Sequence, residues 1–194
     1  MREMLKLFIV IVIFSAVSGG GLAALRGATK DRIESQQLKF VKGPTLQKIL
    51  AGSSNVPIDD RFKITDGKTE WVFFVGEFDG KRNTVAFESF GKGFGGDIGV
   101  LVAVNIENDE IVGVGVTTHS ETPGLGARIK TEEGFIAQFK GLSIKEPFKV
   151  KADGGQMDAI SGATVSSRGV CGAIVDLGET YLRLKTQILE KLKA

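Results

Sequence analysis

The sequence predicts an α+β fold, a mainly antiparallel sheet with flanking helices, preceded by one N-terminal transmembrane helix. Three observations carry this expectation. The uncharged run from Leu7 to Leu25 is 19 residues long, and at about 1.5 Å per residue it reaches roughly 28 Å, a bilayer core. Two pairs of runs rich in β-branched and aromatic residues are each split by a short Asp/Asn segment, as in hairpins. Val170, Ile174, Leu177, Tyr181, Leu184 and Ile188 step by fours and threes, which marks one face of a helix near the C-terminus. The order helix, strand pairs, helix, strand, helix is that of an α+β domain.

In chain order, residues 1–29 are read as a membrane anchor. Arg2 and Lys6 flank one end of the apolar run, and Arg26, Lys30 and Arg32 flank the other, so the positive-inside rule does not orient it. A short N-tail before a first helix commonly stays inside, which sends the domain outside. Ala16-Val17-Ser18-Gly19 also reads as a signal-peptide cleavage site, but the apolar run continues past it, which favours an uncleaved anchor. Residues 30–60 are read as a helical connector. Ile33, Gln37, Phe40 and Val41 share a face, Gly43-Pro44 interrupts, Leu46, Ile49 and Leu50 resume, and 51–60 is a loop.

Residues 61–194 are read as the functional domain. Its expected strands are Glu70 to Phe78 and Thr84 to Phe90, broken by Asp79 to Asn83, then Ile98 to Ile106 and Ile111 to Thr118 around Asn108-Asp109. Thr131 to Lys140 has Phe135, Ile136 and Phe139 at helical spacing, with Glu132 and Glu133 in its first turn. Phe148 to Val150 reads as a short strand ahead of the C-terminal helix.

Composition removes several function classes. The net charge of +2 and the lack of a basic stripe with interleaved aromatics argue against nucleic acid. Cys171 is the lone cysteine and His119 the lone histidine, which excludes an internal disulfide, a Cys-ligated cluster and a multi-His metal site. Gly91 to Gly96 reads G-x-G-x-G-G without opening a helix after a strand, so it is not a dinucleotide fingerprint. The 26 glycines point to tight turns and a backbone that comes close to a ligand.

Two stretches concentrate polar chemistry. Asp158-Ala159-Ile160-Ser161-Gly162-Ala163-Thr164-Val165-Ser166-Ser167 follows a Gly-rich turn and runs into the C-terminal helix. Ser161 to Thr164 therefore lie at or just before a helix N-terminus, where unpaired N–H groups and the positive dipole end favour an anion. Ser or Thr there is often only an N-cap, yet residues 161–167 hold four hydroxyls, more than capping needs. The second stretch, His119 to Arg128, contains Glu121-Thr122-Pro123-Gly124-Leu125-Gly126 between a strand and a helix. Structurally it is a turn in which proline and two glycines set the dihedrals.

Asp-x-x-Ser-Gly-Ala-Thr resembles the recognition sequence for covalent flavinylation, and Glu-Thr-Pro-Gly-Leu-Gly resembles a loop that packs on the flavin. Both are similar to the FMN-binding domain of the G-type subunit of the Rnf complex and of the C-type subunit of the sodium-pumping NADH:quinone oxidoreductase. They stand in the expected order, about forty residues apart, and Gly91 to Gly96 resembles the family's glycine–aromatic loop. The likeness spans roughly Lys63 to Leu192, with the anchor as an architectural match. It implies that a flavin transferase, using FAD, joins FMN to Thr164 through a phosphoester and that Asp158 belongs to the recognition tag. It also implies that Ser161, Gly162, Ala163 and Val165 surround the cofactor's attachment, and that Glu121, Thr122, Gly124, Leu125 and Gly126 line the ring.

The resemblance further implies an electron-transfer subunit of an Rnf-type ferredoxin/NAD ion-translocating complex. It would cross the inner membrane once, keep its FMN domain on the outer side, and have the other membrane subunits as partners. The equivalent subunit of a sodium-pumping NADH:quinone oxidoreductase is the nearer alternative. A membrane-anchored binding module without redox function, with Thr164 as a plain cap, comes from another class. Acyl or phosphoryl transfer by Ser161 or Thr164 is disfavoured, because His119 is the lone imidazole base and no Gly-x-Ser-x-Gly elbow exists. His119 is expected to hydrogen-bond within its loop, and Arg128 and Lys130 to be solvated or to offset flavin charge.

Overall fold

The computed structural model describes residues 2–193, and the chain divides between Phe40 and Val41 into two units. The first is helix α1, Arg2–Gln37, which passes into a π-helical turn at Leu38–Lys42. Its segment Arg2–Lys30 is long and apolar enough to cross a membrane. Leu7, Phe8, Ile11, Phe14, Val17 and Leu22 are all exposed, and an apolar helix without a polar face suits lipid rather than water.

The second unit is built on a five-stranded antiparallel sheet whose strands neighbour one another in sequence order. The strands are β1 (Arg61–Asp66), β2 (Thr69–Phe78), β3 (Lys81–Lys92), β4 (Asp97–Asn105) and β5 (Glu110–Val116). The expected α+β class is the one found. Between β2 and β3 the break is shorter than expected, only Asp79-Gly80, with φ of 53° and 72°. A two-residue turn with both dihedrals positive has the twist that paired strands need, so β3 begins at Lys81. β3 also runs past Phe90 and absorbs Gly91 and Lys92 of the expected glycine loop. β1 was not expected. It is an edge strand with Arg61, Lys63 and Thr65 exposed and only Ile64 fully buried, so it carries little apolar pattern.

Helix α5, Thr164–Lys193, covers one face of the sheet. Its stripe of Val170, Ile174, Leu177, Tyr181, Leu184 and Ile188 joins Phe73, Val85, Phe87, Val100 and Val102 in one core cluster. Each such side chain contributes about 1.5–3 kcal/mol by leaving water, which explains why the six-residue stripe settles the helix on the sheet. The other face takes α2, Gly43–Ile49, which buries Leu46 and Ile49 and contacts β4 and β5. Gly43-Pro44 does not interrupt the chain as expected. Proline sits in the first turn of α2, where its missing N–H has no helical partner to lose. Lys42, just ahead of α2, pairs at 2.7 Å with Glu88 of β3.

The helix expected over 131–140 is two short helices, α3 (Arg128–Thr131) and α4 (Glu133–Ala137), parted by an extended Glu132 at φ −83° and ψ 95°. Ile129 and Phe135 are both buried, and six residues apart on one helix they would face different directions. The break at Glu132 lets both reach the core. The strand expected at Phe148 to Val150 is reduced to one bridge, Val150 to Met157.

Polar matching is complete where the β4–β5 turn meets the middle of α5. Asp109, at φ 62°, accepts from Tyr181 Oη at 2.6 Å and from the ammonium groups of Lys145 and Lys185. Burial works against its charge, but the bonds from Lys145, Lys185 and Tyr181 outweigh that and hold the carboxyl at about 2. Burial raises the Tyr181 hydroxyl, and the carboxylate beside it raises it further.

Candidate functional site

Three loops converge at the N-terminal end of α5. The first, Gly93 to Gly96 between β3 and β4, is closed by a 2.8 Å bond from Gly93 N to Gly96 O and exposes Phe94. The second follows β5. Leu125 N and Ala127 N both donate to Thr122 O, at 3.2 and 3.1 Å, which curls Thr122 to Ala127 and pushes Leu125 outward. The third is the lead into α5, from Asp158 to Ala163.

This lead, the turn before it and the first turn of α5 are fastened at several points. Gln138, just past α4, holds the backbone of Asp158 in both directions: Asp158 N donates to Gln138 Oε1 at 2.7 Å, and Gln138 Nε2 donates to Asp158 O at 3.2 Å. The Asp158 carboxylate is exposed and pairs with Lys151 at 2.7 Å. Asp153 is bound through both oxygens, at 2.6 Å each, by Arg168 of α5, and these hydrogen bonds hold its carboxyl below the usual carboxylate range. Ile160 N donates to Ser167 Oγ at 3.1 Å, and Ser167 Oγ donates to Ala163 O at 3.0 Å. Arg128 reaches Ser161 O at 3.3 Å and pairs with Glu132 at 2.7 Å.

The second and third loops touch where Gly162 meets Leu125. Gly162 has φ 80°, and a Cβ placed on it would stand 2.8 Å from Leu125 Cδ1. Only glycine takes this left-handed backbone freely while leaving the leucine in place.

The hydroxyls at the start of α5 divide into two kinds. Ser166 and Ser167 are turned inward, buried and hydrogen-bonded. Ser161 is exposed, Thr164 is half-buried, and the side chain of neither makes a hydrogen bond among the described residues. The N–H groups of Thr164, Val165 and Ser166 likewise meet no protein acceptor among them, so α5 begins uncapped with its positive dipole end toward the three loops. The N–H groups of Gly124 and Gly126 are also without a protein acceptor among the described residues.

Apolar surface gathers here too. Three of the second unit's six exposed large apolar side chains, Phe94, Leu125 and Val165, belong to the loops and helix start that meet here. Exposed apolar side chains beside unpaired donors suit a flat ligand with one apolar face and an anionic tail. Glu121 lies behind it, buried, with Gly95 N donating to Oε1 at 2.8 Å and the Ser166 hydroxyl donating to Oε2. His119 stays within its own loop, where Nδ1 accepts from Glu121 N at 3.3 Å. Lys130 donates to Thr117 O at 2.9 Å. No group of His, Cys, Asp and Glu able to hold a metal occurs among the described residues.

Gln138 and the inward roles of Ser166 and Ser167 escaped the reading of the sequence. Gln138 lies 20 residues from Asp158 with nothing in its neighbourhood to distinguish it from a surface residue. A continuous helix to Lys140 would also have hidden it.

Comparison with known proteins covers the same region. The FMN-binding domain model matches residues 93–177, from the glycine loop to the middle of α5. The chain is 36% identical over 169 residues to the G-type subunit of an ion-translocating oxidoreductase complex from Cereibacter sphaeroides, covering 84% of this chain and 77% of that one. The chain belongs to this G-type subunit family. The counterpart from Methanosarcina acetivorans is 33% identical over 175 residues, covering 89% of this chain and 92% of that one. Among solved structures, the C-type subunit of a Na(+)-translocating NADH-quinone reductase from Parabacteroides distasonis has the same fold. It superposes with a TM-score of 0.56 at 23% identity, covering 78% of this chain and 94% of that one. For a member of the G-type family, the convergence of loops on Thr164 therefore falls inside the matched FMN-binding region.

Proposed function

We propose that this chain is a membrane-anchored electron-transfer subunit that carries FMN through a phosphoester on Thr164 and relays electrons within an Rnf-type ferredoxin/NAD ion-translocating complex. The observation that carries the reading is the free Thr164 hydroxyl on an uncapped helix start, beside the left-handed Gly162. In that place the N–H groups of Thr164, Val165 and Ser166 receive the phosphate. Ser161, Gly162 and Ala163 keep the approach narrow enough for the backbone to reach it. Leu125, Phe94 and Val165 offer apolar cover for a flat ring, and Thr122, Gly124 and Gly126 offer polar contacts to its edge.

Attachment makes a bond from Thr164 Oγ1 to the FMN phosphorus of FAD, releases AMP and removes the hydroxyl proton. The flavin transferase supplies that chemistry, and the exposed Asp158 is the part of the tag it reads. FMN, when bound, accepts and gives up electrons, and the protein fixes its position. The helix Arg2–Lys30 tethers the domain to the inner membrane in a single pass, with residues 61–194 on the outer side and the other membrane subunits as partners. The relatives are subunits of ion-translocating oxidoreductase complexes, which supports this assembly over a free-standing binding module. The sodium-pumping alternative gains nothing further, because the C-type subunit of that enzyme shares the fold alone.

Co-production of the full chain with an active flavin transferase tests the reading. Wild-type protein is expected to stay fluorescent after denaturation, and Thr164→Val to lose all covalent flavin while melting at an unchanged temperature. A Thr164→Val protein that keeps flavin through denaturation would overturn it.

A further inference from the structure

We infer that Glu121 is a positioning residue that acts from behind the site: its carboxylate locks the first turn of α5 to the glycine loop and thereby sets the direction of the Thr164 hydroxyl. This rests on the reading of Thr164 as the attachment residue.

Glu121 is 5% exposed and each of its carboxylate oxygens is committed. Oε1 takes the N–H of Gly95 at 2.8 Å, and Oε2 takes the hydroxyl of Ser166, itself 2% exposed. Its own N–H donates to His119 Nδ1 at 3.3 Å, so the side chain leaves a backbone that is also held. One carboxylate thus ties together the loop after β3, the loop after β5 and the start of α5. The glycines around it make the room it needs. A Cβ on Gly93 would stand 2.4 Å from Oε1, and one on Gly126 would stand 2.7 Å from Oε2 and 2.9 Å from Ser166 Oγ. At Gly126 the carboxylate and Ser166 take the space a side chain would need, and at Gly93 the carboxylate shares it with Ile98.

Helix geometry links this lock to Thr164. Successive residues turn by about 100°, so Thr164 and Ser166 point to nearly opposite sides of the first turn, about 200° apart. Pinning Ser166 inward fixes the rotation of that turn and presents Thr164 outward. A buried carboxylate without donors is costly, and here the donors are the two segments that must be held, with the positive end of the α5 dipole beside them. Removing it leaves the Gly95 N–H and the Ser166 hydroxyl without a partner, and the first turn is then held from the side of Ser167 and Arg168 alone, so its start loosens. The resemblance puts Glu121 in contact with the flavin ring, whereas its burial and full engagement place its action on the protein side.

The test measures the kinetics of FMN attachment by the transferase to the full chain, with kcat and KM separated, for Glu121→Ala, Ser166→Ala and the double variant. Steady-state fluorescence anisotropy of the attached flavin is read alongside. Each single variant is expected to lower kcat about tenfold or more, the scale of a lost hydrogen bond to a charged group, with KM for the protein little changed. The double variant is expected to be no worse than the poorer single one, because both remove the same bond. Anisotropy falls in all three, as the flavin sits on a looser turn. Attachment at the wild-type rate by Ser166→Ala, or additive losses in the double variant, would overturn the proposal. If Glu121→Ala fails to fold, Ser166→Ala decides alone. Failure of the Thr164 reading is separate and visible, since the wild-type chain would then take no covalent flavin.

Discussion

The middle of α5 and its first turn treat polar groups in opposite ways. In the middle, Tyr181 and Lys185 meet Asp109 together with Lys145, and each charge and hydroxyl in the cluster has a partner. At its first turn the helix starts on a threonine without a side-chain bond, with N–H groups that no acceptor among the described residues receives and apolar side chains in the open. The middle is closed because it fastens the β4–β5 turn to the core. The first turn is open, and on the proposed reading its groups are kept for a ligand. Saturated polar groups stabilise a fold, and unsaturated ones at an exposed helix start are open to water or to a ligand.

That contrast can be broken in order of expected effect. The largest is Thr164→Val, with complete loss of covalent flavin and no loss of stability. Asp109→Asn should do the reverse. Stability should fall by roughly 2–3 kcal/mol in a denaturant titration, the amount corresponding to a carboxyl held near 2 instead of 3.8, and flavin attachment should continue unchanged. Loss of attachment in Asp109→Asn would show that the two regions are not independent.

Acid resolves the same cluster. Because Asp109 titrates lower in the folded chain than in the unfolded one, its contribution is present above about pH 4 and is lost as the pH falls toward about 2. Wild-type stability should therefore drop over that window more steeply than that of Asp109→Asn, as read from denaturant midpoints at about pH 5 and about pH 3. Parallel pH profiles for the two proteins would contradict the assignment. Smallest is Gly162→Ala, where a left-handed backbone and the contact with Leu125 together cost about 1 kcal/mol. Attachment should slow by several-fold while the core cluster, judged by the near-UV spectrum, is unaltered.

The same contrast explains what could be read in advance. The closed part of α5 announced itself through six apolar residues at steps of three and four, and the hairpins through paired β-rich runs, since both depend on burial along a continuous segment. β1 stayed hidden because an edge strand with alternating charged residues buries little. The split at Glu132 follows from where the core needs Ile129 and Phe135, which local spacing does not encode. At the site, the two loop motifs were legible because each is contiguous. The bond from Ser166 to Glu121 spans 45 residues and the grip of Gln138 on Asp158 spans 20, so neither leaves a local trace. Which hydroxyls face in and which face out was therefore open until the three loops could be seen together.

The account stands most directly on the mass of the denatured chain after co-production with an active flavin transferase, followed by mapping of the modified peptide. It predicts a gain equal to FMN less one water, located on Thr164. An unmodified chain beside a modified control substrate, or the same gain on Ser161 or another residue, would contradict it.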